Sequence, residues 1–291
     1  MPPSRQVRLA FSPDADDLFM FWPLLSGHVK SSLSFVHERV ETEALNARAE
    51  AEDAPDVCAV SIAHMPAIAA RFLLLPHGGS VGRGYGPVVV ARRAMRLDEL
   101  AGARVAVPGL RTTAHLVLRL QVLEATGKSF TPVVVPITPF ARVFEALRSG
   151  EVDAALLIHE GRLTYEDDPS LHAVIEIGQA WTASTGLPLP LGGNAIRRDL
   201  GDEVIREVSA ACRASIAWSL ANREVVIDAI IASGARDDAH LTRARLDRYL
   251  AMYANADSAG YTSDVVRAIE LLLSRGRAAG LLGEAAVELA P

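Results

Sequence analysis

Asp153-Ala-Ala-Leu-Leu-Ile-His159-Glu160-Gly161 carries the strongest architectural signal in the chain. Ala154 to Ile158 form a short apolar run, whose length and flanks suit a strand buried on both faces, as in a parallel sheet. A His, a Glu and a Gly stand at its carboxyl end. In open α/β sheets, ligands gather outside the carboxyl ends of strands. Histidine is the side chain whose unperturbed pKa lies nearest physiological pH. His159 is therefore the first candidate for a general base. A loop histidine that only bonds a neighbour is the alternative reading of this stretch alone.

The same grammar repeats on both sides. Val105 to Val107 reads as a strand, Pro108-Gly109 turns, and a helix begins at Arg111-Thr112-Thr113-Ala114 with Leu116, Val117, Leu120 and Leu123 on one face. Thr112 or Thr113 as N-cap leaves backbone N–H groups facing the strand end, a ready anion site, although simple capping explains the same residues. Val133–Val135 is a strand and Phe140–Ser149 a helix ended by Gly150. Val174–Ile177 is a further strand.

Towards the N-terminus, Val7–Phe11 is a strand that runs into Ser12-Pro13-Asp14-Ala15-Asp16-Asp17 and then a helix from Leu18. Ser12 or an aspartate can cap that helix, and carboxylates near its start suit the dipole. The functional alternative is a site loop that turns backbone N–H groups and carboxylates to a ligand. Leu33–Val36 reads as a strand and Glu38–Ala51 as a polar-faced helix. Asp56–Ser61 reads as a buried strand containing Ala59 and Val60 and ending at Ser61, followed by a short helix over His64–Ala70 and a strand over Phe72–Leu75.

Gly78 to Gly86 holds five glycines in nine residues. They precede the strand Val88–Ala91 and do not open a helix after one, so a dinucleotide loop does not fit. A crossing between lobes does. Gly186 to Gly193, rich in Pro and Gly, suits the return crossing. From Gly201 the chain turns helical, with helical spacing over Asp202–Asn222, Glu224–Ser233, Ala239–Tyr253 and Ser263–Gly276. The expected architecture is α/β, two-lobed, of the type II periplasmic-binding-protein kind. Residues 1–91 and 188–291 form lobe one and residues 92–187 form lobe two. Ligand would sit between the lobes, and closure would exclude water.

Composition narrows the function. The 291 residues are 50% hydrophobic with a net charge of −6, enough for two lobes with real cores. Lys and Arg are scattered, which disfavours a nucleic-acid partner. Cys58 and Cys212 offer neither a disulfide framework nor a metal spacing and read as small core residues. No apolar run approaches the roughly 18 residues of a membrane span. The N-terminal stretch lacks a long apolar segment, so the expected location is cytoplasmic.

Seven pieces, taken in order, resemble one family. They are Phe11-Ser12-Pro13 with Asp17 and Phe19; Glu38-Arg-Val-Glu41-Thr42 with Leu45-Asn46; Gly82-Arg83-Gly84-Tyr85-Gly86-Pro87; Val107-Pro108-Gly109 with Thr112-Thr113-Ala114; Ile158-His159-Glu160 with Thr164-Tyr165; Thr185 through Gly192; and Tyr253-Ala254-Asn255. The family is that of 1,4-dihydroxy-6-naphthoate synthase, in the futalosine route to menaquinone. The resemblance implies a cofactor-free, metal-free lyase acting on cyclic dehypoxanthinylfutalosine, with His159 as proton acceptor. It also implies substrate contacts at Ser61 with its neighbours Ala59 and Val60, and at Thr112 and Thr113; Ser12, Asp17 and Gly192 are further candidate substrate contacts. Glu160 is a candidate to orient His159.

The chain departs from the family where Ser-Pro-Cys-Pro-Asn-Asp is usual: it has Ser12-Pro13-Asp14-Ala15-Asp16-Asp17, and Ala59 stands where the family often has Lys. The extra carboxylates do not suit an anionic substrate unless they cap the helix. The rival readings are a solute-binding protein of the same fold, a sister enzyme such as chorismate dehydratase, a regulator's effector domain, and a metal hydrolase built on the aspartates. The Thr112-Thr113 and Ile158-His159-Glu160 motifs favour the naphthoate branch over its sister. The chain carries no helix-turn-helix segment to support a regulator and no spaced ligand set to support a metal.

Overall fold

The computed structural model describes residues 5–234 and 242–291. Residues 1–4, which head the N-terminal stretch, and the start of the helix expected from Ala239 lie outside them. In chain order come β1 (Gln6–Phe11), α1 (Ala15–Leu25), β2 (Ser34–Arg39), α2 (Thr42–Glu50), β3 (Val57–Ser61), α3 (Met65–Ile68), β4 (Phe72–Leu74), β5 (Ser80–Gly82) and β6 (Val88–Ala91). There follow β7 (Arg104–Val107), α4 (Thr113–Thr126), β8 (Thr131–Val134), α5 (Ala141–Ser149), β9 (Ala154–Leu157), α6 (Gly161–Thr164), β10 (His172–Glu176), α7 (Ile177–Thr185) and β11 (Leu189–Arg197). Helices α8 (Asp202–Ala221), α9 (Arg223–Ala232), α10 (Arg243–Tyr253), α11 (Ala256–Ala259) and α12 (Ser263–Ala278) complete the described chain.

The strands form two sheets. One runs β2-β1-β3-β11-β4 with β5 on β11; the other runs β10-β6-β9-β7-β8. The apolar run of β9 is fully covered because it lies inside its sheet, parallel to β7 and antiparallel to β6. That is the burial its composition predicts. Around Gly186–Gly193 the return crossing is itself structured. It enters the first sheet as β11, antiparallel to β3, β4 and β5, with an irregularity between Pro190 and Gly192. A proline is tolerated there because a bulge needs no ladder N–H.

The placement of residues 1–91 in lobe one needs one correction. Val88–Ala91 pairs with β9 and β10 in the second sheet, and all four residues are buried there. Its four-residue Val-rich run is strand material, so the chain crosses before it, over residues 83–87. Two further boundaries move. Glu38 and Arg39 stay in β2, where an edge position accepts charge, so α2 begins only at Thr42. Ser80–Gly82 is a short strand inside the glycine-rich segment.

The crossing is held by its surroundings. Arg83 makes a bidentate pair with Asp257 at 2.7 Å to each oxygen and also reaches Asp264 at 2.7 Å, while the Tyr85 hydroxyl donates to Met252 O at 2.6 Å. A Cβ on Gly178 would fall 2.0 Å from Tyr85 O, so only glycine allows this approach of α7 to the crossing.

Helix α1, which carries the acidic turn at its start, is anchored at its far end around Pro23. Proline has no N–H for the carbonyl of Phe19. The Ser219 hydroxyl donates to that carbonyl at 2.6 Å instead. Ser215 accepts the Leu24 N–H at 3.2 Å and donates to Met20 O at 2.7 Å. Both serines are buried on α8. Ser219→Ala should therefore cost about 1–2 kcal/mol in urea unfolding, because it leaves a buried carbonyl unmet. In a Pro23→Ala background, where the helix supplies its own N–H, the same substitution should cost measurably less. Equal costs in both backgrounds would rule out this compensation.

Candidate active site

A cleft opens between the two sheets. The residues expected at the site converge on it from both halves of the chain. From the first half come Ser12 and Asp17 in the β1–α1 turn, Ala59, Val60 and Ser61 in β3, and Gly192 in β11. From the second come Thr112 and Thr113 at the start of α4 and His159 after β9. This follows from the topology: apart from Ala59 in the middle of β3, each residue sits near or beyond the carboxyl end of a buried strand, or on the strand that returns beside it.

His159 has φ +49°, the one non-glycine residue with a positive φ among the described residues. That conformation is costly for a residue with a Cβ and persists where the surroundings impose it. Here both ring nitrogens are engaged. Nε2 lies 3.0 Å from Thr42 Oγ1, at the start of α2. Nδ1 lies 3.2 Å from Asp14 Oδ2 and 3.5 Å from the Tyr249 hydroxyl on α10. The side chain keeps 18% exposure, on the cleft side.

Glu160 does not orient His159. Its carboxylate accepts the Ala15 N–H at 3.0 Å, at the first turn of α1, and is fully buried. Adjacent residues project apart, so when His159 faces the cleft Glu160 faces the helix. The acidic turn is then relieved of capping. Asp14 is the N-cap residue of α1 but makes no side-chain cap bond. Asp17 Oδ2 accepts the Ser12 N–H at 2.7 Å and closes the turn, and Ser12 Oγ accepts the Asp14 N–H at 3.2 Å.

Asp16 lines the cleft and accepts from Ser80 at 2.5 Å and from Tyr249 at 3.1 Å. Burial raises the pKa of both Asp16 and Asp17 above the ordinary carboxylate value. Asp17 is raised further by the Asp16 charge, while His159 partly offsets the rise at Asp16. Burial and the neighbouring carboxylates also hold the Tyr249 phenol well above its usual value, so it remains a donor.

At the opposite wall, Thr112 Oγ1 caps α4 by accepting the His115 N–H at 3.3 Å and donates to Gly109 O at 3.0 Å. Thr113 Oγ1 donates to Leu191 O at 2.6 Å and accepts the Ala63 N–H at 3.1 Å, joining the two halves across the cleft. Asn46 clasps Ser61: its amide donates to Ser61 Oγ at 3.1 Å and its oxygen accepts the Ser61 N–H at 2.9 Å. No Lys or Arg lines the cleft among the described residues. Among them, no three His, Cys, Asp or Glu side chains are grouped as metal ligands. Tyr249, Tyr253, Ser80 and Asn194 also line the cleft. Tyr249 precedes Tyr253 by one helical turn, a spacing that places both on one face of α10 and could have singled it out.

Two sheets joined by crossing strands around such a cleft make the periplasmic-binding-protein fold. The alkanesulfonate-binding protein SsuA of Xanthomonas axonopodis superimposes with a TM-score of 0.70 at 16% identity, covering 98% of this chain and 96% of that one. A crystal structure from Archaeoglobus fulgidus superimposes with a TM-score of 0.85 at 38% identity, covering 95% and 98%. A menaquinone-biosynthesis family model matches residues 7–278, and the chain belongs to that family. Two relatives are named 1,4-dihydroxy-6-naphthoate synthase. That of Thermus thermophilus is 37% identical, with 94% of this chain and 95% of the relative covered. That of Streptomyces coelicolor is 35% identical, with 95% and 94% covered.

The buried aspartates have a stability signature. An acid whose folded pKa lies above its unfolded value holds its proton more tightly when folded. Its stabilising contribution is complete below the unfolded value and is lost as pH rises through the folded one. For Asp17 that loss begins above the ordinary value of 3.8. Asp17→Asn keeps an oxygen for the Ser12 N–H and removes the charge. It should be more stable than the parent at neutral pH by about 1 kcal/mol or more, the worth of a single pKa unit. The gap should close as urea unfolding is repeated towards about pH 4. A gap that does not change with pH would contradict the burial argument.

Proposed function

We propose that this protein is an enzyme of menaquinone biosynthesis that converts cyclic dehypoxanthinylfutalosine to 1,4-dihydroxy-6-naphthoate, with His159 as the proton acceptor. One observation carries the reading: His159 is held in a costly backbone conformation where it lines a cleft built by two halves of the chain. The family membership supports a place in menaquinone biosynthesis, and the proposed chemistry is a cofactor-free carbon–carbon cleavage in the cytoplasm.

His159 removes a proton from a hydroxyl or carbon acid of the substrate. The electron pair left by that proton forms a double bond in the departing fragment as the carbon–carbon bond breaks, and the pair of that bond passes into the ring, which becomes aromatic. A positioned general base contributes about 100-fold to 10,000-fold in rate. The substrate's carboxylate faces a wall without cationic side chains, so its charge falls to dipoles: the start of α4 at Thr112 and Thr113, and the Ser61 hydroxyl that Asn46 clasps from the amide side. Ser12, Asp17, Ala59, Val60 and Gly192 shape the rest of the pocket.

The two lobes close on the substrate, hinging over residues 83–87 and before β11. Thr113 on Leu191 O and Arg111 on Glu43 and Glu50 are contacts that opening would break. No helix among the described residues is long and apolar enough to cross a membrane.

Purified protein incubated with cyclic dehypoxanthinylfutalosine should form dihydroxynaphthoate, followed by liquid chromatography and mass spectrometry. His159→Ala should lose at least about 100-fold in turnover. Near-normal turnover in that variant would remove His159 from the reaction. Substrate that binds tightly and returns unchanged would favour a solute-binding protein.

A further inference from the structure

We propose that a second pocket, walled off from the cleft by Thr112, binds a hydroxylated aromatic carboxylate: the carboxylate on Arg119, the hydroxyl on His115 Nε2, and the ring against leucines. That this ligand class includes the reaction's own product rests on the function proposed above. The site itself does not.

The pocket has a volume of about 340 Å³, within the range of small-molecule sites. Both halves of the chain build it: Glu50 and His64 from the first, Arg111, His115 and Arg119 from the second. Thr112 lines this pocket and the cleft alike, so the two share a wall. Leu110, Leu281 and Leu282 supply an apolar side, and Leu110 is 53% exposed there.

Its polar groups are unequally provided for. Arg111 is spent: Nε donates to Glu50 Oε1 at 3.1 Å, and the guanidinium also donates to Glu43 at 3.0 Å. Arg119 makes no ion pair or hydrogen bond among the described residues. His115 is 3% exposed, and its Nδ1 donates to Leu110 O at 2.9 Å. A carbonyl can only accept, so Nδ1 carries the proton. Burial holds this ring below its usual pKa, so near neutral pH it is uncharged and Nε2 keeps a lone pair. That buried Nε2 meets no hydrogen-bond partner. His64 Nε2 is also buried without a hydrogen bond, 3.3 Å from Glu50 Oε1. Buried polar atoms of this kind are costly until a partner completes them. A lone pair on Nε2 calls for a hydroxyl, and a free guanidinium calls for an acid. With one free guanidinium and the Glu50 carboxylate on the same walls, a single negative charge is better matched than the nearly double charge of a phosphate monoester. A flat apolar body with one carboxylate and one hydroxyl meets all three demands.

The test uses 6-hydroxy-2-naphthoate, with 2-naphthol as a probe that lacks the carboxylate. Protein labelled with 15N-histidine is titrated near neutral pH with each, and the His115 ring is assigned by its loss in His115→Gln. Affinity is read from the His115 shift, so binding in the cleft does not enter. 6-Hydroxy-2-naphthoate should move the His115 Nε2 resonance, and 2-naphthol should do so at least about tenfold more weakly, the worth of a hydrogen bond to a charged group. Arg119→Gln should weaken the naphthoate by a similar factor and leave 2-naphthol unchanged. A silent His115, or a response confined to His159 in the cleft, would overturn the proposal. So would equal naphthoate affinity in the parent and in Arg119→Gln; Arg119 is half-buried at the pocket wall, outside the core, so this variant tests the site without cutting into the packing. Neither measurement needs turnover. If the parent forms no dihydroxynaphthoate yet His115 responds, the assigned reaction fails and the pocket stands. If turnover is found and His115 is silent, the reverse holds.

Discussion

The arrangement depends on a carboxylate from one half of the chain meeting a helix start from the other. Glu160 accepts the Ala15 N–H in a buried setting, where the unmet N–H groups and dipole of α1 concentrate positive potential. A charge-assisted hydrogen bond shielded from water is among the stronger single contacts available to a protein. The capping acid arrives from the segment after β9 rather than from the turn, and Asp14 makes no side-chain cap bond. Because Glu160 points at the helix, its neighbour His159 points the other way. One contact thus sets the direction of two side chains and brings the ring beside Asp14.

That contact is useful only if α1 is rigid. Its start is bound by the Ser12–Asp17 turn, and its end by Ser215 and Ser219, which meet the carbonyls that Pro23 would leave open. The C-terminal helices therefore support the site from behind. Helix α10 also enters it from the front through Tyr249. Arg83, joined to Asp257 and Asp264, links the crossing to the same helices. A motion of the lobes about this crossing would change the distance between His159 and Asp14 along with the shape of the cleft.

Much of this was legible in the residues. The apolar run Ala154–Ile158 and the turn chemistry after it mark a central strand with a site at its end. Thr112 as an N-cap and Gly150 as a left-handed helix end behave as their chemistry requires. The failures share a cause. Val88–Ala91 looks the same in either sheet, since a buried apolar strand carries no label for its neighbours. Glu38 and Arg39 match a helical pattern until an edge strand claims them. Ser80–Gly82 is too short to show a period. The partner of the α1 start was least accessible, because an aspartate at a helix start has a sufficient local explanation. Only the arrival of Glu160, from 145 residues away, removes that explanation.

The acidity of the cleft then takes on a different meaning. Extra carboxylates look hostile to an anionic substrate when counted as charges. In the fold, each has a separate occupation. Asp17 closes a turn, Glu160 caps a helix, Asp16 shares protons with Ser80 and Tyr249, and Asp14 faces an imidazole. Burial favours the protonated form of Asp16 and Asp17, which lowers the negative charge the substrate meets. The proposed reaction leaves the substrate's own charge to the far wall, at the start of α4. Under the proposed reaction, a proton acceptor beside carboxylates on one side and a helix start on the other separate the two electrostatic tasks of a base-initiated cleavage, and neither requires a lysine or an arginine in the cleft.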